Sequence, residues 1–416
     1  MNSIMKNGFK KTCLAVICSM TLLMTACNDD DDDSFRPQER VFLNQQSYDA
    51  DTLPEASDIQ VIRYNMPNVR GERAEATAMV FYPNTPQPQD GWRVVVWEHG
   101  TVGSGDSCAP SNNQLNNNFK GLASSLLAQG YVIVAPDYEG LGTRGIHPYL
   151  NLKSAAQSAI YAVRAFKEQQ GNRFNGAWVS VGQSQGGHAS LATAQFADED
   201  PNYKAAVAAA PASSLGYIIS EVAPQALNGL VEAGQDDVAK AVYAELLAYA
   251  AYVAVGIKAY EPNFNYRNIF SDRAGIVAEK AEGTTGENGL CLGPLIAEYI
   301  QDIDNYLVDN PEQTVVDYPG LVENFQDNPS VKKFLEDNQP ATEKINVPVM
   351  IIQGTLDMAV PYPVTDGLQQ GLKDMGTAVT FVPVVGASHT EAIVLSRDQL
   401  VSFINTHMPS GISVSP

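Results

Sequence analysis

The chain has 416 residues, 44% of them hydrophobic and 18% charged, with 26 basic residues against 47 acidic and a formal net charge of -21. It is too apolar for a disordered chain, long enough for a substantial core, and not enriched in Gly or Pro as a low-complexity sequence would be. So acidic a surface repels phosphate backbones, and no basic cluster or finger-type Cys/His spacing offsets it, which excludes nucleic acid as a partner.

Lys6, Lys10 and Lys11 precede an apolar run from Leu14 to Leu23, which leads into Met24-Thr25-Ala26-Cys27. A basic stretch, a short hydrophobic stretch and small residues before a cleavage point read as an export signal over residues 1–26, too short to span a membrane. Small residues directly before a cysteine resemble the bacterial lipoprotein signal, which predicts a lipid anchor on Cys27; an ordinary secretory signal is the alternative. Asn28 and the run Asp29–Asp33 begin an acidic tether over 27–40 that stays solvated. Together these place the protein at the bacterial outer membrane, on its periplasmic or its cell-surface face. Cys13 and Cys18 leave with the signal, and Cys27 goes to the lipid. In an oxidising compartment the remaining pair, Cys108 and Cys291, is expected to form one disulfide, with two free buried thiols as the alternative.

Apolar runs of strand length follow at 77–82, 93–98, 131–136, 177–182, 205–210, 347–353 and 379–385. Most are continuous and not alternating, as strands covered on both faces are. Helical patterns lie between them, at 115–129, 153–169, 185–196, 363–375 and 392–407. Strands alternating with helices predict an α/β fold with a mostly parallel, doubly wound sheet. From 211 to 344 the alternation stops, and Ala- and Leu-rich helical segments such as 235–260 take over. This stretch reads as a helical cap inserted between the first part of the core, 41–210, and the second, 345–416. Tyr217, Tyr243, Tyr249, Tyr252, Tyr260, Tyr266 and Tyr299 recur through it and are read as helix packing.

The segment Gly182-Gln183-Ser184-Gln185-Gly186 is a G-x-S-x-G motif between a strand and a helix. Only Gly on either side permits the sharp turn that lifts a serine hydroxyl above the strand ends. A serine needs a base, and in hydrolases with this motif the order along the chain is Ser, acid, His. Of the five histidines, His389 follows a strand and a small-residue loop, a placement that returns an imidazole over the sheet. His188, one turn past Ser184, reads as a packing or cap-contact residue, His407 as solvent-facing, and His99 as a loop hydrogen-bonding residue. Asp357 follows a buried strand and a Gly-containing loop, where it can orient the His389 ring; Asp366 is a rival that falls inside the next helix. The oxyanion hole needs two amides, one from Gln185 at the helix start and one from Thr101 or Gly100 in the loop after the strand at 93–98.

Six segments carry a wider resemblance: His99-Gly-Thr101 with Cys108-Ala-Pro-Ser111; Asp137-Tyr-Glu-Gly-Leu-Gly142 with His147-Pro-Tyr149; Gly182-Gln-Ser-Gln-Gly-Gly-His188; and Gly354-Thr-Leu-Asp357. Over roughly residues 60 to 405 the chain resembles the secretory lipase family of α/β-hydrolases. That resemblance implies the α/β-hydrolase fold, Ser184, Asp357 and His389 as a catalytic triad, and a helical cap over an acyl tunnel. The expected activity is cofactor-free and metal-free hydrolysis of a carboxylic ester through an acyl-enzyme. An apolar cap suggests a hydrophobic acyl or aryl part, while tyrosine hydroxyls suit phenolic or sugar esters equally. Two alternatives stand beside it. One is a serine exopeptidase, which needs a carboxylate pair in the cap drawn from Glu221, Glu232 and Glu245; the other is a non-catalytic surface lipoprotein that binds glycan or lipid.

Overall fold

The computed structural model describes residues 35–36 and 39–412. The predicted signal over 1–26, Cys27 and the run Asp29–Asp33 lie outside them. Among the described residues, nine strands form one sheet: β1 (Phe42–Ser47), β2 (Ala56–Pro67), β3 (Arg73–Pro83), β4 (Trp92–Glu98), β5 (Val132–Pro136), β6 (Phe174–Gln183), β7 (Tyr203–Ala209), β8 (Val349–Gly354) and β9 (Val379–Val384). Their spatial order is β1-β2-β3-β5-β4-β6-β7-β8-β9. The pairings among β1, β2, β3 and β5 are antiparallel; all the others are parallel.

Every strand expected from an apolar run is present, and β5 and β8 are buried at each position. β1 and β2 were not anticipated. β1, the edge strand, carries polar side chains at four exposed positions, and in β2 apolar residues alternate with polar ones along Ile62–Met66, so neither has a continuous apolar run to reveal it. Phe35, expected in the solvated tether, instead packs edge-on against Tyr161 at 5.1 Å.

Helices cover both faces. α1 (Asn117–Ala128) and the C-terminal helix Arg397–His407 bury Phe119, Leu122, Leu400 and Phe403 on one side with Val179 and Val181 of β6. α2 (Leu152–Gln170), α3 (Gln185–Phe196) and the helix Tyr362–Asp374 bury Phe166, Leu191 and Leu372 on the other, with Trp178. Side chains of β6 thus alternate between the two cores, the pattern of a strand buried on both sides. The single helix expected at 392–407 is broken at Ser396 into Glu391–Leu395 and Arg397–His407.

The chain between β7 and β8 forms no strand and builds a helical insertion with its own core around Tyr252, Phe270, Tyr299 and Phe334. Its longest helix, Asp236–Lys258, packs on Leu292–Asp309. A disulfide between Cys108 and Cys291 ties the loop after β4 to the start of the latter helix. Beside it, the Leu292 amide donates to the Val102 carbonyl at 2.8 Å and the Asp106 amide to that of Glu287 at 2.8 Å. The crosslink joins residues 183 apart in sequence, so it restricts a long stretch of the unfolded chain. The double substitution Cys108→Ser/Cys291→Ser is expected to lower stability by about 2–4 kcal/mol. Reductant should lower the Tm of the wild type towards that of the variant; a wild-type Tm indifferent to reduction would contradict the crosslink's role.

Candidate active site

The sheet reverses its winding between β4 and β6. From β4 the chain moves outward to β5, then returns across β4 to add β6, β7, β8 and β9 on the far side. A crevice opens outside the carboxyl ends of the strands at such a point, where ligands bind in open α/β sheets. Glu98, the last residue of β4, pairs with Gly182 near the end of β6, so the two loops that follow start side by side.

At the end of β6 the chain turns through Ser184 into α3. Ser184 adopts φ 60 and ψ -118, a conformation that costs a non-glycine residue about 1–3 kcal/mol. Close approach enforces it. A Cβ on Gly182 would run into the Gly186 carbonyl, and one on Gly186 into the Glu98 carbonyl. The Ser184 amide donates to Ala209 of β7 at 2.9 Å, and its carbonyl accepts from the His188 amide at 3.0 Å, opening the helix. The amide of Gln185, in the first turn of α3, is one of the donors that a helix leaves without an intrahelical acceptor.

Asp357 lies in the loop after β8, its side chain fully buried. Its Oδ1 accepts from the Ala359 amide at 2.9 Å and the Val360 amide at 2.8 Å. Its Oδ2 accepts from Gln353 Nε2 at 3.0 Å and from His389 Nδ1 at 2.8 Å. The carboxylate is fixed by these donors, and it fixes the His389 tautomer with the hydrogen on Nδ1. His389 Nε2 is buried and has no hydrogen-bond partner among the described residues. The loops carrying the two residues are stitched together: the Leu356 amide donates to Ala387 O at 3.0 Å and the Gly386 amide to Thr355 Oγ1 at 2.9 Å. Gln183 Nε2 reaches the His389 carbonyl at 3.3 Å, which braces the histidine from the strand that bears Ser184.

Ser184 and His389 lie on the wall of one cavity of about 650 Å³. Gly100 and Thr101 line it too, and a Cβ on Gly100 would sit 3.7 Å from that of Ser184. Thr101 Oγ1 shares a 2.7 Å hydrogen bond with the hydroxyl of Tyr149. The insertion contributes Glu245, Tyr249, Cys291 and Leu292 to the same wall. Of the three glutamates considered for an amine-binding pair, only Glu245 is there: Glu221 lines a separate cavity and Glu232 is exposed.

The other histidines hold the scaffold. His147 Nδ1–H donates to Glu139 O at 2.8 Å, and its Nε2 accepts from Gln185 Nε2 at 3.1 Å; burial pulls its pKa down to about 4, consistent with the neutral ring. His188 reaches from α3 to the Asn338 carbonyl of the insertion at 3.0 Å, the contact expected of it. His99 lies between the carbonyls of Gly100 and Asp137. His407 packs against Phe403 and is half-buried, while Asp366 is exposed on its helix. Behind the turn, burial pushes the Glu98 carboxyl far above the usual carboxylate range, and Thr193 Oγ1 donates to it at 2.7 Å. Sequence reasoning missed the Gln353 donor, the tie from Tyr149 to Thr101 and the bond from His147 to Gln185. The one local signal was a glutamine ending the apolar run of β8.

The sheet is shared with solved lipases and esterases. The rice cell wall degrading esterase LipA from Xanthomonas oryzae superimposes with a TM-score of 0.63 at 16% identity, over 89% of this chain and 99% of that one. Candida antarctica lipase A in its closed state gives 0.64 at 16% identity, over 90% of this chain and 83% of that one. Both show that this is the α/β-hydrolase fold. No curated protein matches the chain significantly in sequence. The secretory lipase family model matches residues 117–411, most of the chain and all of the segments bearing Ser184, Asp357 and His389, and the protein therefore belongs to the secretory lipase family.

Proposed function

We propose that this family member is a serine carboxylic-ester hydrolase that works through an acyl-enzyme. The observation that carries this reading is an imidazole fixed by Asp357 through Nδ1, with an unpartnered Nε2, on the wall of the cavity that also holds Ser184. Ser184 Oγ attacks the ester carbonyl and gives its proton to His389 Nε2, while Asp357 stabilises the imidazolium that forms. The Gln185 amide and that of Thr101 or Gly100 hold the oxyanion, and the alcohol leaves with the proton from His389. Water, deprotonated by the same imidazole, then releases the acid. The helical insertion 211–344 acts as a cap that shapes the acyl and alcohol pockets. The exopeptidase reading has less support, because among the described residues the cavity is lined by Glu245 without a second glutamate.

Hydrolysis of a nitrophenyl butyrate should exceed that of an aminoacyl-anilide. Ser184→Ala should abolish it, His389→Ala should lower kcat by orders of magnitude with folding intact, and Asp357→Asn should lower it about 10⁴-fold through the wrong tautomer. Near-normal turnover in any of the three would refute that residue's role; preferential anilide cleavage would favour the peptidase.

We further propose that the mature chain is a lipoprotein anchored through Cys27, since Thr25 and Ala26 precede that cysteine at the end of an export signal. The disulfide fits the oxidising side of the membrane. Radiolabelled fatty acid should enter the wild type and not Cys27→Ala, and equal labelling of both would remove the anchor.

A further inference from the structure

Among the seven tyrosines of the insertion named from its sequence, Tyr252, Tyr266 and Tyr299 are buried in its core, with Tyr243 and Tyr260 packed against it. Tyr249 is different. It stands one turn after Glu245 on the helix Asp236–Lys258, and both side chains line the cavity that holds Ser184. Tyr249 donates its hydroxyl hydrogen to Glu245 Oε1 at 2.6 Å. Burial foremost, then the charge of Glu245, holds the phenol well above its ordinary pKa, and the charge of Asp357 adds to this. The hydrogen therefore stays on the phenol and remains committed to Glu245. What the pair offers to the cavity is acceptors only: the second carboxylate oxygen and the phenolic lone pairs.

A carboxylate here works against the chemistry proposed above. An oxyanion forms in the same cavity, and a fixed negative charge nearby disfavours it. Among the described residues no Lys or Arg forms an ion pair with Glu245, and Arg397 is the lone Lys or Arg on the cavity wall. A site built to accept only an acyl chain gains nothing from such a group, whereas an acceptor pair is the complement of a donor on the substrate. The wall also carries exposed Gln114, Asn117 and Asn118, whose amides both donate and accept as hydroxyl groups do.

Resting on the ester-hydrolase reading, we propose that Glu245 and Tyr249 determine specificity, accepting hydrogen bonds from free hydroxyls on the substrate's alcohol half. The substrate class is then an ester of a polyol, glycerol- or sugar-like, in preference to an ester of a simple alkanol.

The test compares kcat/KM for glycerol 1-monobutyrate and for propyl butyrate, which has the same carbon skeleton without the two hydroxyls. Butyrylcholine serves as the cationic probe. The measurements are made on the wild type, Glu245→Leu, Glu245→Gln and Tyr249→Phe, each checked for an unaltered unfolding transition. The wild type should prefer the glycerol ester, and Glu245→Leu should reduce the glycerol-to-propyl ratio by about tenfold or more, chiefly through KM. Tyr249→Phe should reduce it in the same direction. A ratio unmoved within twofold by both Glu245→Leu and Tyr249→Phe overturns the assignment while leaving ester hydrolysis intact. A preference for butyrylcholine that Glu245→Gln abolishes overturns it in favour of a cation site. A wild type that hydrolyses none of the three esters overturns the hydrolase reading, and this assignment with it.

Discussion

Three backbones meet at one point in this molecule, and the rest of the site is arranged around that crowding. The end of β4, the end of β6 and the first turn of α3 approach so closely that Gly182 and Gly186 have no room for a Cβ. The chain turns sharply there, and Ser184 takes the positive-φ conformation that results, φ 60 and ψ -118. Backbone strain of about 1–3 kcal/mol persists only where surrounding structure over-determines it. Here the over-determination is visible: β4 and β7 flank β6 in the sheet, α3 is buried almost throughout, and Thr193 on that helix bonds the buried Glu98 of β4.

Residues far apart in the chain are held by the same logic of fixed backbones. Asp357 owes its position to two amides of its own loop and to Gln353 at the end of β8, and it passes that order on to the His389 ring. The loop after β4 is held from outside the core. Tyr149 bonds Thr101, and the disulfide and neighbouring amides fasten residues 102–108 to the insertion. The insertion is thus tied to the loop that carries a candidate oxyanion donor, and it also supplies part of the cavity wall. Changes in the insertion can alter both what the cavity admits and how the loop is held.

How much of this could be read from the sequence depended on the range of the interaction. Parallel strands buried on both faces leave continuous apolar runs, so β4 to β8 and the helices between them were legible, as were the apolar edge strand β9, which is only part-buried, and the absence of strands from 211 to 344. Of the candidate site, the turn at Ser184 and the loops carrying Asp357 and His389 were legible, because each follows the end of a strand, a local signal. β1 is polar at its four exposed positions and is marked by nothing local, whereas in β2 the buried Ile62, Tyr64 and Met66 alternate with Arg63 and Asn65, a period-2 signal that a reading for continuous apolar runs passes over. The bond from His147 to Gln185, that from Tyr149 to Thr101 and the packing of Phe35 on Tyr161 join residues distant in sequence. Such pairs become visible only once the sheet has brought them together. Tyr249 shows the converse: its residue type and spacing matched helix packing, and only its position on the cavity wall separates it from its neighbours.

The central claim is that Ser184 is a nucleophile activated by His389. Intact-protein and peptide mass spectrometry after exposure to a fluorophosphonate tests it most directly. One adduct per chain, mapped to Ser184 and formed far more slowly in His389→Ala, is the expected result. An unmodified wild type, or an adduct that survives in Ser184→Ala, would contradict it.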